Sequence, residues 1–240
     1  MAQSNLQAGL KAMDMSDFIS ARKLFEFGIS FLSQNHWVEE YNLSLSLYDN
    51  AAKCCLSIGD SEKLEKFSTQ VLSNARSFED KLNIYYFSIS ALCHASLLEE
   101  AFSKGVQILS MLGEDLPQIR THDEKIGHLN ETTSKLSCLS DDELLTYKMM
   151  SDPSKIMAMK FLWRLQVSLL MGKPSFIPHV TLKMIHMSLA HGMSAMSAIG
   201  IVYFGSILAS IGNINDGYRF VKLAKNIVQR FGYKDVAGEG

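Results

Sequence analysis

The sequence predicts an all-α fold, an irregular solenoid of helical hairpins with about 10 to 12 helices, and three observations carry that prediction. A short polar or glycine turn followed by roughly five turns of amphipathic helix occurs four times. Prolines stand only at 117, 153, 174 and 178, so the first 116 residues lack the residue that breaks helices. Alternating strand patterns are scarce; the nearest, Leu43 to Leu47, has no turn signal on either side and reads as helix.

The repeated phrase begins at Ser16-Asp17-Phe18, at Gly59-Asp60-Ser61, less cleanly at Ser96-Leu97-Leu98, and at Gly212-Asn213-Ile214. The first copy sets Phe18, Ala21, Phe25, Gly28 and Leu32 at steps of three and four, one apolar stripe of a helix. The second sets Leu64, Phe67 and Val71, with Asn74 in register; the third Leu98, Phe102, Gly105, Leu109 and Leu112; the fourth Phe220, Leu223, Ile227 and Phe231. Each phrase follows another helical segment, so the repeating unit is a hairpin. Asp17 to Asp60 is 43 residues and Asp60 to Leu97 is 37, looser than the roughly 34-residue tetratricopeptide period, and the tetratricopeptide signature is not in register. The fold is therefore tetratricopeptide-like, one helical-repeat domain over 1–240, with regular hairpins at 1–112, an irregular insertion at 113–152 and further hairpins at 153–235.

The rhythm breaks at Leu116-Pro117, and the polar, histidine-bearing stretch to Asn130 predicts a loop. Ser140-Asp141-Asp142-Glu143 reads as a capping box opening a short helix. Asp152-Pro153 starts another that runs to Met171, because a capping carboxylate precedes proline where its missing N–H costs nothing. A helix from Pro178 to His191 follows, with Gly192 as a left-handed cap. Residues 192 to 215 carry no formal charge, a length that could span a bilayer. No aromatic belt or basic cluster flanks this stretch and the repeat phrase resumes after it, so a central solenoid helix is the reading and membrane insertion is not expected.

The 23 basic and 25 acidic residues give a net charge of -2 with no block of either sign, which excludes a nucleic-acid partner. Cys54, Cys55, Cys93 and Cys138 lie in apparent helices without C-x-x-C spacing, as expected for reduced thiols. The start, Met1 to Asn5, has no basic segment leading into an apolar one, so no secretory signal is expected and the location is cytoplasmic. Catalytic constellations are not found. Gly172-Lys173-Pro174-Ser175 is no P-loop, and neither G-x-S-x-G nor H-E-x-x-H occurs. The pairs Glu39-Glu40, Glu99-Glu100 and Asp141-Asp142 are sequence neighbours that diverge on a helix. His179 and His186 share a face, but His191 points off it, and His122 and His128 flank Asp123 and Glu124 without ligand geometry. Methionines at 149 to 159 and 184 to 196 suit packed core or an adaptable surface. Catalytic, cofactor and metal residues are accordingly none.

Several landmarks in one order carry a family resemblance. Trp37 with Tyr41-Asn42-Leu43 and Leu47-Tyr48-Asp49-Asn50-Ala51-Ala52, then Gly59-Asp60 and Asp80-Lys81, resemble the helical-repeat region of large multidomain sensor kinases. Leu112-Gly113-Glu114-Asp115-Leu116-Pro117, Met150-Ser151-Asp152-Pro153, Gly192-Met193-Ser194 with Ser197-Ala198, and Gly217-Tyr218-Arg219-Phe220 continue it. In that family the region follows a protein-kinase-like domain and a STAND-type AAA ATPase and precedes GAF and histidine-kinase or cyclase domains. The resemblance implies a non-enzymatic regulatory scaffold in intracellular signal transduction that binds protein partners such as ATPase, kinase or GAF-type domains. The alternative is a fragment of a larger ATPase and sensor histidine kinase polypeptide whose activity lies outside this chain.

Overall fold

A computed structural model describes residues 1–170 and 172–231. Met171, where one helix was expected to end, the side chain of Phe231 in the fourth stripe, and residues 232–240 lie outside the described residues. Among the described residues the fold is all-α: 13 α-helices, against the 10 to 12 expected because the short helices His36–Glu39 and Asp141–Leu145 add to the long ones, and two short 3-10 turns, with no strand beyond one isolated bridge. Contacts divide the chain into two units, Met1–Ser96 and Leu97–Gly240, each described in turn.

In the first unit the order is α1 (Ala2–Asp14), α2 (Phe18–Ser30), the single turn α3 (His36–Glu39), α4 (Tyr41–Ile58), α5 (Ser61–Asn74) and α6 (Leu82–His94). Helix α1 packs on α2, α2 on α4, and α4 on α5 and α6. The sequence stripe of α2 is the buried one, with Ala21, Phe25 and Gly28 packed inward against Leu6, Leu47, Ala51 and Cys54. Leu43 to Leu47 is helical, inside α4. A Cβ on Gly9 of α1 would overlap the Phe25 ring, so the missing side chain is what lets the two helices close.

The repeated phrase corresponds to a repeated backbone geometry. Ser16 (φ 59), Gly59 (φ 75), Ser96 (φ 59) and Gly212 (φ 94) each take the left-handed conformation between two helices. In three copies the next N–H reaches back to the carbonyl five residues earlier: Asp17 to Ala12 (2.9 Å), Asp60 to Cys55 (2.9 Å) and Asn213 to Leu208 (2.9 Å). These are Schellman-type closures that satisfy carbonyls the first helix leaves open. The same residue then caps the next helix: the Asp17 side chain accepts from the Ser20 N–H, Asp60 from Lys63, and Asn213 from Asp216. The less clean third copy has Leu97 at the cap, with no side-chain hydrogen bond.

In the second unit the helices are α7 (Leu98–Met111), α8 (His122–Ser137), α9 (Asp141–Leu145), α10 (Pro153–Leu169), α11 (Ile177–His191), α12 (Ala195–Ser210) and α13 (Ile214–Phe231). Helix α10 packs on α7, α11 and α12; α12 also packs on α11 and α13, which accounts for its lack of charge. Met196, Ile201, Phe204 and Leu208 of α12 are buried, and among the described residues no helix is long and apolar enough to cross a membrane. At the α12–α13 crossing a Cβ on Gly205 would lie 2.7 Å from the Gly217 carbonyl oxygen, and one on Gly217 equally close to Gly205. Larger residues there would force the helices apart. The capping box at Ser140 and the Asp152-Pro153 start, where the Asp152 side chain accepts from the Ser154 N–H, form as expected.

Two local expectations are corrected. The polar stretch to Asn130 is not a loop throughout: α8 starts at His122, opened by a capping box in which Thr121 and Glu124 bond each other's backbone. Helix α8 buries only Leu129, Thr132 and Leu136, a stripe too thin to stand out among its polar neighbours. Gly192 is a helix cap, but not a left-handed one, at φ 114 and ψ 165. The chain there pairs with another segment: the Met193 N–H donates to the Lys148 carbonyl (2.7 Å) and the Met150 N–H to the Met193 carbonyl (2.8 Å). A Cβ on Gly192 would meet that backbone at 2.7 Å, so only glycine fits.

Ser16 and Ser96 are exposed residues held at a positive φ that glycine adopts without strain. Ser16→Gly and Ser96→Gly are expected to stabilise the protein by about 0.5–1 kcal/mol each, and Gly59→Ala to destabilise it by about 1 kcal/mol. Urea denaturation midpoints check this, and a loss of stability in both serine variants contradicts the turn geometry.

Candidate functional site

The polar landmarks of the first unit converge on one another. Tyr41, at the start of α4, donates its hydroxyl to Asp80 Oδ2 (2.6 Å) and accepts the Arg76 N–H (2.8 Å). The Arg76 guanidinium lies 4.0 Å from the Tyr41 ring centroid and donates to the Trp37 and Val38 carbonyls. The Tyr41 hydrogen bond is the main reason the Asp80 carboxyl stays below its ordinary range, helped by Ser77 and opposed by burial. Trp37 stacks with Tyr48 at 5.2 Å, and Tyr48 meets Phe67 edge-on at 6.0 Å. Residues far apart in sequence are thereby fastened together, with their hydrogen-bonding capacity turned inward. Asp49 is similar: Oδ2 accepts from the Asn83 amide (2.9 Å), whereas Oδ1 is buried with no partner. Burial, above all, pushes this carboxyl up to about 6.

In the second unit the strongest charged arrangement centres on Glu114, which is 5% exposed. Oε1 accepts from Lys155 Nζ of α10 (2.6 Å) and Oε2 pairs with Lys183 Nζ of α11 (2.7 Å), while His191 Nε2 lies 4.0 Å from Oε1. Burial alone would raise this carboxyl, but the two ammonium hydrogen bonds outweigh it and hold it below its ordinary value. Both oxygens are occupied by lysines, which leaves neither free to move a proton at a substrate. Arg219 of α13 similarly bonds Asp141 (2.8 Å) and the Leu139 carbonyl (2.8 Å), tying α13 to the start of α9.

The structure separates the remaining chemical candidates. His179, His186 and His191 go to three different partners: the Ile119 carbonyl (3.1 Å), the Thr132 hydroxyl (3.1 Å) and Glu114. Among the described residues no three His, Cys, Asp or Glu side chains form a group able to hold a metal ion. The carboxylate pairs diverge: Glu39 accepts from Ser33, Glu99 pairs with Lys173, and Asp141 with Arg219. None of the four cysteines is in a disulfide; burial raises Cys54 to about 12 and Cys55 to about 11, which keeps both as unreactive thiols. Met150, Met159, Met184, Met187, Met193 and Met196 are core, whereas Met149 is exposed.

A surface the sequence reading did not single out lies on the other side of α2. Ile19, Phe27 and Phe31 are 56%, 60% and 52% exposed, and Met15 just before the helix is 75% exposed. Steps of four put them on one face, with Lys23 among them and in no ion pair among the described residues. A solvated helix face ordinarily carries charges there, so two exposed phenylalanines one turn apart mark an apolar patch. The available signal was the surplus of apolar residues in α2, more than one stripe can bury. An open depression of about 770 Å³ elsewhere in this unit has Tyr48 and Phe67 in its lining, but its Glu62 and Lys66 are already paired with each other.

Asp49→Asn is expected to stabilise the protein at about pH 8 by on the order of 2 kcal/mol, because the native carboxylate is charged there and half-satisfied. The sign follows from the raised native pKa: the folded wild type takes up a proton more readily than the unfolded chain, so it recovers stability as pH falls through about 6 towards the ordinary 3.8, and the advantage of the variant shrinks. Paired thermal melts across that range read the difference, and a gap that stays constant or widens contradicts the assignment. Comparison with protein-family models, with curated proteins and with solved structures finds no match to this chain.

Proposed function

We propose that this protein is a non-enzymatic, tetratricopeptide-like helical-repeat scaffold of the cytoplasm that binds a protein partner in signal transduction through the outward face of α2. The observation that carries this reading is the pair Phe27 and Phe31, more than half exposed on a helix whose opposite face is core. The repeated left-handed turn and the packing of α4 on α1, α2, α5 and α6 support a stacked-hairpin arrangement. The partner class comes from the sequence resemblance: an ATPase, kinase or GAF-type domain, on another chain or elsewhere in the same polypeptide.

The patch fits one amphipathic helix of the partner. Ile19, Phe27, Phe31 and Met15 together offer on the order of 400 Å² of apolar surface. A stable dimer needs roughly 800 Å² from each copy, so a second copy of this chain is a poorer fit than a single helix. Lys23, in the middle of the row, calls for an acidic side chain among the occupant's apolar ones.

Placing a photoreactive benzoyl-phenylalanine at position 27 tests this directly. Cross-links to an apolar segment carrying Asp or Glu on a different protein or domain are expected; cross-links to a second copy of this chain, or none, overturn the assignment. Phe27→Asp with Phe31→Asp is expected to abolish that capture while changing stability by no more than about 0.5 kcal/mol, since both positions are exposed. ATP turnover by the purified protein, measured in parallel, contradicts the non-enzymatic reading.

A further inference from the structure

Helix α11 turns a row of polar side chains towards the segment that precedes and forms α8. His179 Nε2 donates to the Ile119 carbonyl at 3.1 Å, because a carbonyl oxygen can only accept, and its Nδ1 is buried without a partner. Lys183 holds Glu114, and His186 Nε2 meets Thr132 Oγ1 at 3.1 Å. Between these fasteners Leu129 and Leu136 of α8 sit in the same cluster as Leu182 and Ile185 of α11. The principal helix contact of α8 is with α11, so what weakens that face frees α8.

The surroundings of His186 are unfavourable to a positive charge. Thr132 is fully buried beside it. Lys135 and His128 of α8 and Lys183 of α11 act on it as cations, against Glu131 alone as an anion. Glu131 is already paired with Lys135 (2.7 Å), and Lys183 with Glu114. Helix α12, also packed on α11, has no charged residue, and α10 carries Lys155, Lys160 and Arg164 but no acid. The Thr132 hydroxyl could still accept from an imidazolium, so the hydrogen bond itself survives protonation. What does not survive is the balance of burial and charge around the ring.

We propose that residues 114–137 form a pH-sensitive strap, in which protonation of His186 releases α8 from α11 and uncovers the apolar row Leu182, Ile185 and Leu189. Burial first, and then the Lys135 charge, hold this imidazole below its ordinary 6.5 while α8 is docked. The released form binds a proton more readily, so docking is complete above about 6.5 and is lost as pH falls through 6.5 towards the depressed native value. Glu114 works in a separate window. Its carboxyl is depressed from 4.5, so its ion pairs fail only in stronger acid.

Hydrogen–deuterium exchange of the full chain from about pH 8 to about pH 5, with labelling times scaled to the intrinsic amide rates, reads the strap without reaching the Glu114 window. Protection of α8 amides is expected to fall about tenfold for each unit by which docked His186 lies below its released value, while α12 and α13 stay protected. In His186→Gln, which can still bond Thr132 but cannot titrate, α8 protection is expected not to change with pH. Lys135→Gln, at an exposed position, is expected to move the release to lower pH and serves if the first variant does not fold. Wild-type α8 protection that persists to about pH 5, a His186→Gln protein that loses it in the same window, or a midpoint unmoved by Lys135→Gln overturns the proposal.

Discussion

Chain reversal through a single left-handed residue, followed at once by a side-chain cap, is the constraint on which the rest of the structure rests. At Ser16-Asp17, Gly59-Asp60 and Gly212-Asn213 the reversal satisfies carbonyls at the end of one helix and N–H groups at the start of the next. The two helices are then neighbours before any tertiary contact is made, and their apolar stripes have only each other and the next pair to meet. Phe25 against Gly9, Leu47 against Gly28, and the contact of Gly205 with Gly217 are consequences of that placement. The third copy, with leucine at the cap, coincides with the division between the two units.

Polar residues then fix what the turns leave adjustable. Tyr41 with Asp80 and Arg76, Arg22 with Asp60, Glu114 with two lysines, and Arg219 with Asp141 each join segments distant in sequence. Their geometry is that of fasteners: each sets a strong donor against an internal acceptor, and both Glu114 oxygens are taken up by lysines, although Arg22 Nε is buried without a partner. Asp49 is half-satisfied and His186 lies among cations, and their imbalances have opposite signs. Lowering the pH relieves one and aggravates the other.

Capping and periodicity are local, and this is why the helices, their inward stripes, the capping box at Ser140 and the Asp152 cap are legible in the sequence. Thr121 and Glu124 carried the same signal as Ser140 and Glu143, but the polar run around them obscured it. Gly192 was read from its position after a helix, whereas its conformation is dictated by backbone pairing with residues 148 to 150, more than forty positions away. The partners of Tyr41 and Glu114 were hidden for the same reason: 39 residues separate Tyr41 from Asp80 and 41 separate Glu114 from Lys155. On α2 the inward stripe is readable from its spacing, whereas Ile19, Phe27 and Phe31 on the outward face look like further core residues until burial separates the two faces.

The charges are spent on maintaining the fold, and the uncompensated apolar surface of α2 is the partner site proposed above. Hydroxyl-radical footprinting of the free chain and of its purified complex compares the exposed side chains in one experiment. Strong protection of Met15, Phe27 and Phe31 in the complex is expected, with Met149 as reactive as before. Unchanged reactivity at Phe27 and Phe31 together with protection elsewhere would contradict it.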